Sequence, residues 1–285
     1  MNKFKIFSLA FVASASVVKA QDVKEAKKAV DAEQFQKAKS LLKSIIKDKP
    51  SDGEADFVLG NVYLNQGIAD SAKIYYSKGI EASDKKNLNY IGLGQLELDN
   101  KNVAGAQANF ALATKDMKRK DVDEFIYIGK AYTNSVNPDY TNAVASLKKA
   151  LLIEPQNANA LLAIGDAYYG ANNQNEAYKA YRDAFTADPT LLRAKMQLGV
   201  LLKGAKSYDE AIKSFNEVIA LNPNYGPVYR ELAETYYKWG RNKPSTAKVN
   251  LQHAITNYEK YLSLTDYSLD SKMRHADFLI LVKDY

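Results

Sequence analysis

The sequence predicts an all-α protein built as an α-solenoid of about seven helical hairpins, followed by one unpaired helix. The prediction rests first on an internal repeat of about 34 residues, in which one position always carries glycine or alanine. Repeats of this length are typical of solenoids, in which each unit packs mainly against its neighbours. The recurring small residues are Ala26, Gly60, Gly94, Gly129, Gly165, Gly199 and Ala233.

Two further positions recur with the same period. A second small residue follows the first, twelve positions later in most units, and a large apolar residue comes four positions after that. The second small residues are Ala38, Ala72, Ala106, Ala143, Ala177, Ala211 and Ala254. The large residues are Leu42, Tyr76, Phe110, Leu147, Tyr181, Phe215 and Tyr258.

The unit at 158–189 shows why each repeat is expected to be two helices. Leu161, Ile164, Gly165 and Tyr168 follow the spacing of one face of an amphipathic helix. A polar break follows at residues 171–174, after which the apolar pattern restarts.

Small residues at Gly165 and Ala177 indicate that the two helices approach closely there, with Tyr181 filling the space between them. Proline cannot continue a helix, so it is expected just after the second helix of a unit. The prolines in this position are Pro50, Pro155, Pro189 and Pro223.

On this pattern the units are expected at 22–50, 53–84, 87–118, 122–155, 158–189, 192–223 and 226–266, with a partial unit at 268–285. The third unit lacks the closing proline, and the fourth carries two extra residues around Pro138. The seventh has about nine residues inserted near 240–249.

Residues 1–20 have the composition of a secretory signal peptide. Lys3 and Lys5 precede 13 largely apolar residues, from Ile6 to Val18, and small residues flank a cleavage site after Ala20. A transmembrane anchor is the alternative, but spanning a bilayer takes about 20 apolar residues. The sequence therefore predicts an exported protein, periplasmic or extracellular, whose mature chain from residue 21 has no membrane span.

The chain ends inside its eighth unit. Residues 268–283 are expected to form a first helix with Ala276 at the repeat position, whereas a second helix would fall beyond Tyr285. A fragment of a longer protein is one explanation and a solvating cap helix is the other. We favour the fragment because the face that carries His275, Leu279, Ile280 and Val282 is too apolar for a cap.

Composition excludes several classes of function. The chain has no cysteine, which removes disulfides, thiolate metal sites and cysteine nucleophiles. Loss of Lys3, Lys5 and Lys19 with the leader lowers the net charge from +6 to +3, which is too mild and too scattered to predict nucleic-acid binding.

The sequence contains no recognisable catalytic or cofactor-binding motif. Its two histidines, His253 and His275, do not have the spacing of metal ligands, and no P-loop or nucleophile elbow occurs. Gly92 and Gly94 lie inside an expected helix, where they cannot form a dinucleotide-binding loop. We therefore expect no enzyme activity, no cofactor and no metal.

The pattern of Leu-Gly-x-x-Tyr, Ala-x-x-x-(Tyr/Phe)-x-x-Ala and a closing proline resembles the tetratricopeptide repeat. The resemblance covers about residues 22–283. It implies a right-handed superhelix whose first helices line a concave groove that binds peptides or proteins. Some family members hold a carboxylate there with basic residues, but Phe57 and Ile126 occupy such positions here, so this clamp is not expected.

The residues that face this groove should lie one position beyond the packing residues. In chain order they are Phe57, Asn61, Leu64, Ile91, Gln95, Leu98, Ile126, Lys130, Thr133, Leu162, Asp166, Tyr169, Met196, Val200, Lys203, Arg230, Glu234 and Tyr237. For Phe57, Ile91, Ile126 and Leu162, packing within the superhelix is an equal alternative. The candidate partner-binding residues are Lys130, Asp166, Tyr169, Met196, Arg230, Glu234, Tyr237 and Trp239.

Trp239 enters this set for a different reason. It lies in the segment 236–244, which combines the chain's one tryptophan with two tyrosines and three cations, a composition common at interaction hot spots. The alternative is a longer turn in which Trp239 packs against the second helix.

These observations predict an exported, non-catalytic scaffold that binds a protein or peptide in its groove. The alternative is an accessory protein that handles carbohydrate, with exposed aromatic rings stacked on sugars. A hydrolase would need a catalytic domain beyond residue 285.

Overall fold

The computed structural model describes residues 22–266 and 269–283. In these residues the chain forms a solenoid of helical hairpins and no β-strand, which confirms the predicted all-α fold with seven pairs and a last helix. The first helices are α1 (Val23–Asp31), α3 (Gly53–Asn65), α5 (Lys86–Asp99), α7 (Asp123–Asn134), α9 (Ala158–Gly170), α11 (Leu192–Gly204) and α13 (Gly226–Asn242). The second helices are α2 (Phe35–Asp48), α4 (Ala69–Gly79), α6 (Val103–Thr114), α8 (Tyr140–Ile153), α10 (Gln174–Ala187), α12 (Tyr208–Leu221) and α14 (Ala247–Leu264). The last helix is α15 (Leu269–Lys283), and the proposed leader lies outside the described residues.

Many helices begin at a short polar residue whose side chain accepts a hydrogen bond from a backbone N–H of the first turn. Such a cap satisfies a donor that the helix itself cannot pair. The capping residues are Asp22, Asp52, Asn102, Asp139, Asn157 and Asn173.

The turns inside the hairpins also repeat. In five units the second residue after the first helix has a positive φ, between 57° and 73°. These residues are Glu33, Gly67, Lys101, Asn172 and Lys206. The fourth and seventh units depart from this turn, as their extra residues predict.

The predicted close approach of the two helices is confirmed in the fifth unit, and glycines of four other units lie equally close to a side chain of the second helix. Gly165 of α9 lies directly against the ring of Tyr181 on α10, and a Cβ built on Gly165 would come within 2.6 Å of that ring. Tyr181 is buried, and its hydroxyl donates to Asp166 Oδ1 at 3.0 Å. The second unit repeats this bond from Tyr76 to Asn61, at 2.7 Å.

The insertion in the seventh unit takes the form of longer helices joined by a 3₁₀ helix. Helix α13 has 17 residues and α14 has 18, and the 3₁₀ helix Pro244–Thr246 lies between them. Trp239 therefore lies on the last turns of α13. Its ring stacks on Tyr208 of α12, with centroids 6.1 Å apart.

The first and seventh units meet, so the curvature of the solenoid brings its two ends together. Glu33, in the turn between α1 and α2, accepts from Arg230 Nη1 of α13 at 2.5 Å and from the Tyr261 hydroxyl of α14 at 2.8 Å. The backbone carbonyl of Glu33 accepts from the N–H of Asp266 at 3.0 Å.

Helix ends at this junction cap each other. The Asp266 carboxylate accepts from the N–H of Gln36 in the first turn of α2, at 2.6 Å. The side chain of Gln34 donates to the carbonyl of Leu264, the last residue of α14, at 3.3 Å. We call the residues that make these contacts the clasp: Glu33, Gln34, Gln36, Arg230, Tyr261, Leu264 and Asp266.

A glycine-to-alanine pair tests the hairpin packing. Alanine favours a helix over glycine by about 1 kcal/mol, but overpacking a core costs about 1–3 kcal/mol. Gly165→Ala is therefore expected to lower the melting temperature, because the new methyl group meets Tyr181. Gly204→Ala is the control, because no atom lies within 4 Å of its added Cβ. It should leave the melting temperature unchanged or raise it. Equal effects of the two substitutions, measured by circular dichroism, would contradict the packing argument.

Candidate partner-binding surface

The apolar residues that the sequence placed on the inner surface of the first helices are buried. Phe57, Ile91, Ile126, Leu162 and Met196 are all no more than 4% exposed. Phe57 of the second unit packs edge-on against Tyr127 of the fourth, with ring centroids 4.8 Å apart. These five residues are therefore part of the core and offer no surface to a partner.

Ion pairs link consecutive first helices along this interior. Lys27 of α1 bonds Glu54 of α3 at 2.5 Å, and Arg193 of α11 bonds Asp166 of α9 at 2.8 Å. A third pair, Lys203 of α11 with Glu231 of α13, is also 2.5 Å long and is largely buried on both sides. Partly buried pairs with charge-assisted hydrogen bonds are stronger and less screened than surface pairs.

Lys130 differs from these cations, because no hydrogen bond or ion pair to it is found among the described residues. Its ammonium lies over the ring of Tyr127, 5.4 Å from the centroid, and Lys27 lies 5.6 Å from the same ring. Burial lowers the pKa of Lys130, and the nearby Arg193 lowers it further. Lys130 is therefore a buried cation without a direct ion pair among the described residues, and the carboxylates of Asp166 and Asp31 offset only part of the cost of its burial.

A second group of charges surrounds the end of α1. Burial raises the pKa of Asp31, whereas Arg193 and the Tyr225 hydroxyl stabilise its ionised form. Arg193 thus has acidic neighbours from two units, Asp31 of the first and Asp166 of the fifth. Charged residues of four units, at 31, 130, 166 and 193, meet in this part of the interior.

The candidate residues fall into three groups. Lys130 lies over the Tyr127 ring, Asp166 pairs with Arg193 of the next unit, and Tyr169 is 40% exposed. Met196 is buried in the core, so it offers no surface to a partner and we do not retain it.

The remaining candidates contact the rest of the chain. Arg230 belongs to the clasp, and Glu234 pairs with Arg274 of α15 at 3.5 Å. Tyr237 packs against Phe278 of α15, with centroids 5.0 Å apart. One face of Trp239 is covered by Tyr208. The contacts of Arg230, Glu234, Tyr237 and Trp239 therefore stabilise the packing of helices within this chain.

Sequence reasoning missed Lys27, Tyr127 and Arg193. Lys27 directly follows the small residue of its unit, as Lys130 and Asp166 do, so extending the groove row into the first unit would have found it. Arg193 lies on the first turn of α11, outside that row. Its partner Asp166 is 27 residues earlier, a spacing shared with Lys27 and Glu54.

Among the described residues, no three acidic or histidine side chains are grouped so that they could hold a metal ion. None of the described helices is long and apolar enough to cross a membrane. The geometry on this surface is that of packing and ion pairing.

Comparison with known proteins identifies the repeat. A family model described as tetratricopeptide repeat matches residues 23–86, and a second model of the same description matches residues 158–191 and 192–225. No curated protein matches the sequence significantly.

Solved structures share the fold at low sequence identity. A tetratricopeptide repeat protein from Parabacteroides merdae is 14% identical with a TM-score of 0.55, and the match covers 90% of this chain and 97% of that one. A thermophilic protein of this repeat class from Thermus thermophilus is 20% identical with a TM-score of 0.51, over 68% of this chain and 99% of that one. Human IFIT1, in a dimer with m7Gppp-AAAA, is 17% identical with a TM-score of 0.61, over 87% of this chain and 59% of that one.

Replacing the unpaired cation should stabilise the free protein. The folded pKa of Lys130 lies below its ordinary value of 10.5, so below the folded pKa the charged ammonium destabilises the native state. Between the two pKa values the unfolded chain binds more protons, and native stability rises with pH. Lys130→Met should therefore raise the melting temperature at pH 7, and its advantage over the wild type should shrink as the pH approaches 10.

Lys148→Met is the matched control, because Lys148 is exposed on the second helix of the same unit. It should change the melting temperature little at any pH. A stability loss in Lys130→Met at pH 7 would show that the ammonium has a stabilising partner and would contradict this account.

Proposed function

We propose that this solenoid of tetratricopeptide repeats is a non-catalytic scaffold that binds a peptide or a partner subunit on its inner surface. Solenoids of this class present extended concave surfaces, and their repeats suit protein–protein interaction. The site consists of Lys130, Asp166, Tyr169 and Arg193.

The exposure of Tyr169 is the observation that best supports this proposal. It is a large aromatic residue on a first helix, and it is 40% exposed while its apolar neighbours on the inner face are buried. Tyrosine offers a rigid apolar ring together with a hydroxyl, and such residues dominate binding energy at interfaces. Its neighbours supply both charges, since Asp166 is paired with Arg193 while Lys130 makes no direct ion pair with a described residue.

Lys130 gives the partner a chemical preference. A buried ammonium that makes no direct ion pair is unfavourable in the free protein, and an acidic or carbonyl-rich segment would relieve that cost on binding. Asp166 and Arg193 already satisfy each other, so they contribute shape and polarity more than net attraction.

Export is a separate part of the proposal, and it rests on residues 1–20. The sequence supports cleavage after Ala20 and a periplasmic or extracellular location. The N-terminal sequence of the protein recovered from the exporting cell tests this directly. A chain that begins at Gln21 is expected, and a chain in the membrane fraction that retains Met1 would contradict it.

We do not carry the carbohydrate-binding alternative forward. Its candidate residue, Trp239, has one face covered by Tyr208, and the exposed Tyr169 lies among charged residues. Binding of nucleic acid remains unexpected from the mild and scattered net charge.

Two tyrosine variants test the inner surface. Tyr169→Ala should weaken capture of the partner about tenfold or more, as loss of a central aromatic anchor does. Tyr178→Ala is the control, because Tyr178 is 47% exposed but lies on the second helix α10, away from the inner face. The measurement is crosslinking in the exporting cell, followed by identification of the captured protein and titration of the purified partner.

The helical circular dichroism of both variants should match the wild type. Full-strength capture by Tyr169→Ala, or equal loss with Tyr178→Ala, would contradict binding on the inner surface.

A further inference from the structure

We propose that the clasp is a latch, which closes the solenoid in the free protein and opens without unfolding the repeats to give access to the inner surface. The access role rests on the proposed function of that surface, whereas the opening itself does not.

The clasp is built almost entirely from polar contacts. It joins the turn between α1 and α2 to the start of α13 and the end of α14, through the Glu33 carboxylate, two helix-end caps and one backbone bond. Ala32 is the apolar contributor to it, packed against the C-terminal core. The side chains of Glu33 and Arg230 remain 21% and 32% exposed, so water can replace their contacts when the latch opens.

Polar contacts of this kind contribute modestly, because water forms hydrogen bonds with the same groups in the open state. The apolar side chain that packs across the clasp is Ala32, which is small, so its separation exposes little apolar surface. Opening of the clasp is therefore expected to need much less free energy than unfolding of a hairpin, whose core holds residues such as Tyr181 and Leu42.

The hinge for this opening is expected between the fifth and sixth units, where the core is weakest. The buried apolar residues form one large cluster in the first five units and another from Met196 to Phe278. Between them lies a small cluster of five buried residues at the junction of α9, α10 and α11. On the inner side the Asp166–Arg193 ion pair crosses this junction. A small rotation there would separate the ends while both large clusters stay intact.

Glu33 has the positive φ of the hairpin turn, 57°, which it shares with Lys101, Asn172 and Lys206 at the matching positions. The turn itself therefore does not distinguish Glu33. Its distinguishing feature is the carboxylate, which reaches Arg230 and Tyr261 of the seventh unit.

Closure also bears on the inner surface. Asp31 is the last residue of α1, two positions before Glu33, and it faces Arg193 and Tyr225. Release of the α1–α2 turn would move Asp31 away from Arg193 and widen the interior beside Lys130. The latch and the proposed site are therefore mechanically coupled.

The chain has no cysteine, so spin labels can be placed on a Ser40→Cys and Lys260→Cys pair, on exposed positions of α2 and α14. The opened variant is Glu33→Gly/Asp266→Ala, in which glycine suits the positive φ of residue 33. The control is Glu25→Ala/Asp70→Ala, which removes two exposed acids outside the clasp. Double electron–electron resonance then gives the distribution of distances between the two labels.

The wild type and the control should show one short distance. The opened variant should gain a longer and broader population, because losing charge-assisted bonds shifts a two-state equilibrium about tenfold or more. Its helical circular dichroism should match the wild type. An unchanged distance distribution would overturn the latch, and so would a loss of helical signal in step with the longer distance.

Access is read from the acetylation rate of Lys130 by N-hydroxysuccinimide acetate, measured by mass spectrometry against Lys148 in the same unit. In the opened variant the rate at Lys130 should rise several-fold while the rate at Lys148 stays constant. A longer label distance with an unchanged rate at Lys130 would overturn the access role. Neither readout uses a partner, so the result is independent of the capture experiment with Tyr169→Ala.

Discussion

Five of the units share one contact between their two helices, in which an aromatic or leucine side chain of the second helix lies against a glycine of the first. In the fifth unit Tyr181 covers Gly165, and in the sixth Phe215 covers Gly199. Because a side chain on the first helix would collide with the ring, this contact sets how closely the helices pack. Hairpins of similar geometry then stack with similar rotations, and the solenoid curves.

The curvature of the solenoid explains the contacts between units that are distant in sequence. It is tight enough for Phe57 and Lys27 to reach Tyr127, two and three units further along the chain. The apolar residues on the inner side of the first helices are consequently buried in the core. The charged residues on this side form ion pairs between consecutive first helices. The same curvature brings the α1–α2 turn to the end of α14, where the helix ends cap each other in place of water.

Local features of the fold were predictable from the sequence, and long-range ones were not. The close approach at Gly165 and Tyr181 lies within 16 positions of chain, so the repeat alone indicated it. Asp166 was expected to face the groove, and in the structure its carboxylate bonds Tyr181 of the same unit and Arg193 of the next. Met196 was expected beside it but is buried, because a fixed offset from the packing residues assumes the same helix rotation in every unit. The ion pair of Glu33 and Arg230 spans 197 positions and results from small rotations summed over six junctions, which no residue pattern encodes.

Hydrogen exchange at two clasp amides tests the closed solenoid most directly. The N–H groups of Gln36 and Asp266 lie outside the hydrogen bonding of their own helices, and they are paired only because the first and seventh units meet. Both amides are expected to exchange at least about tenfold more slowly than in an unstructured peptide, though faster than amides inside α2 and α14. Exchange of both at the unprotected rate, with those helices still protected, would show that the ends of the solenoid are apart.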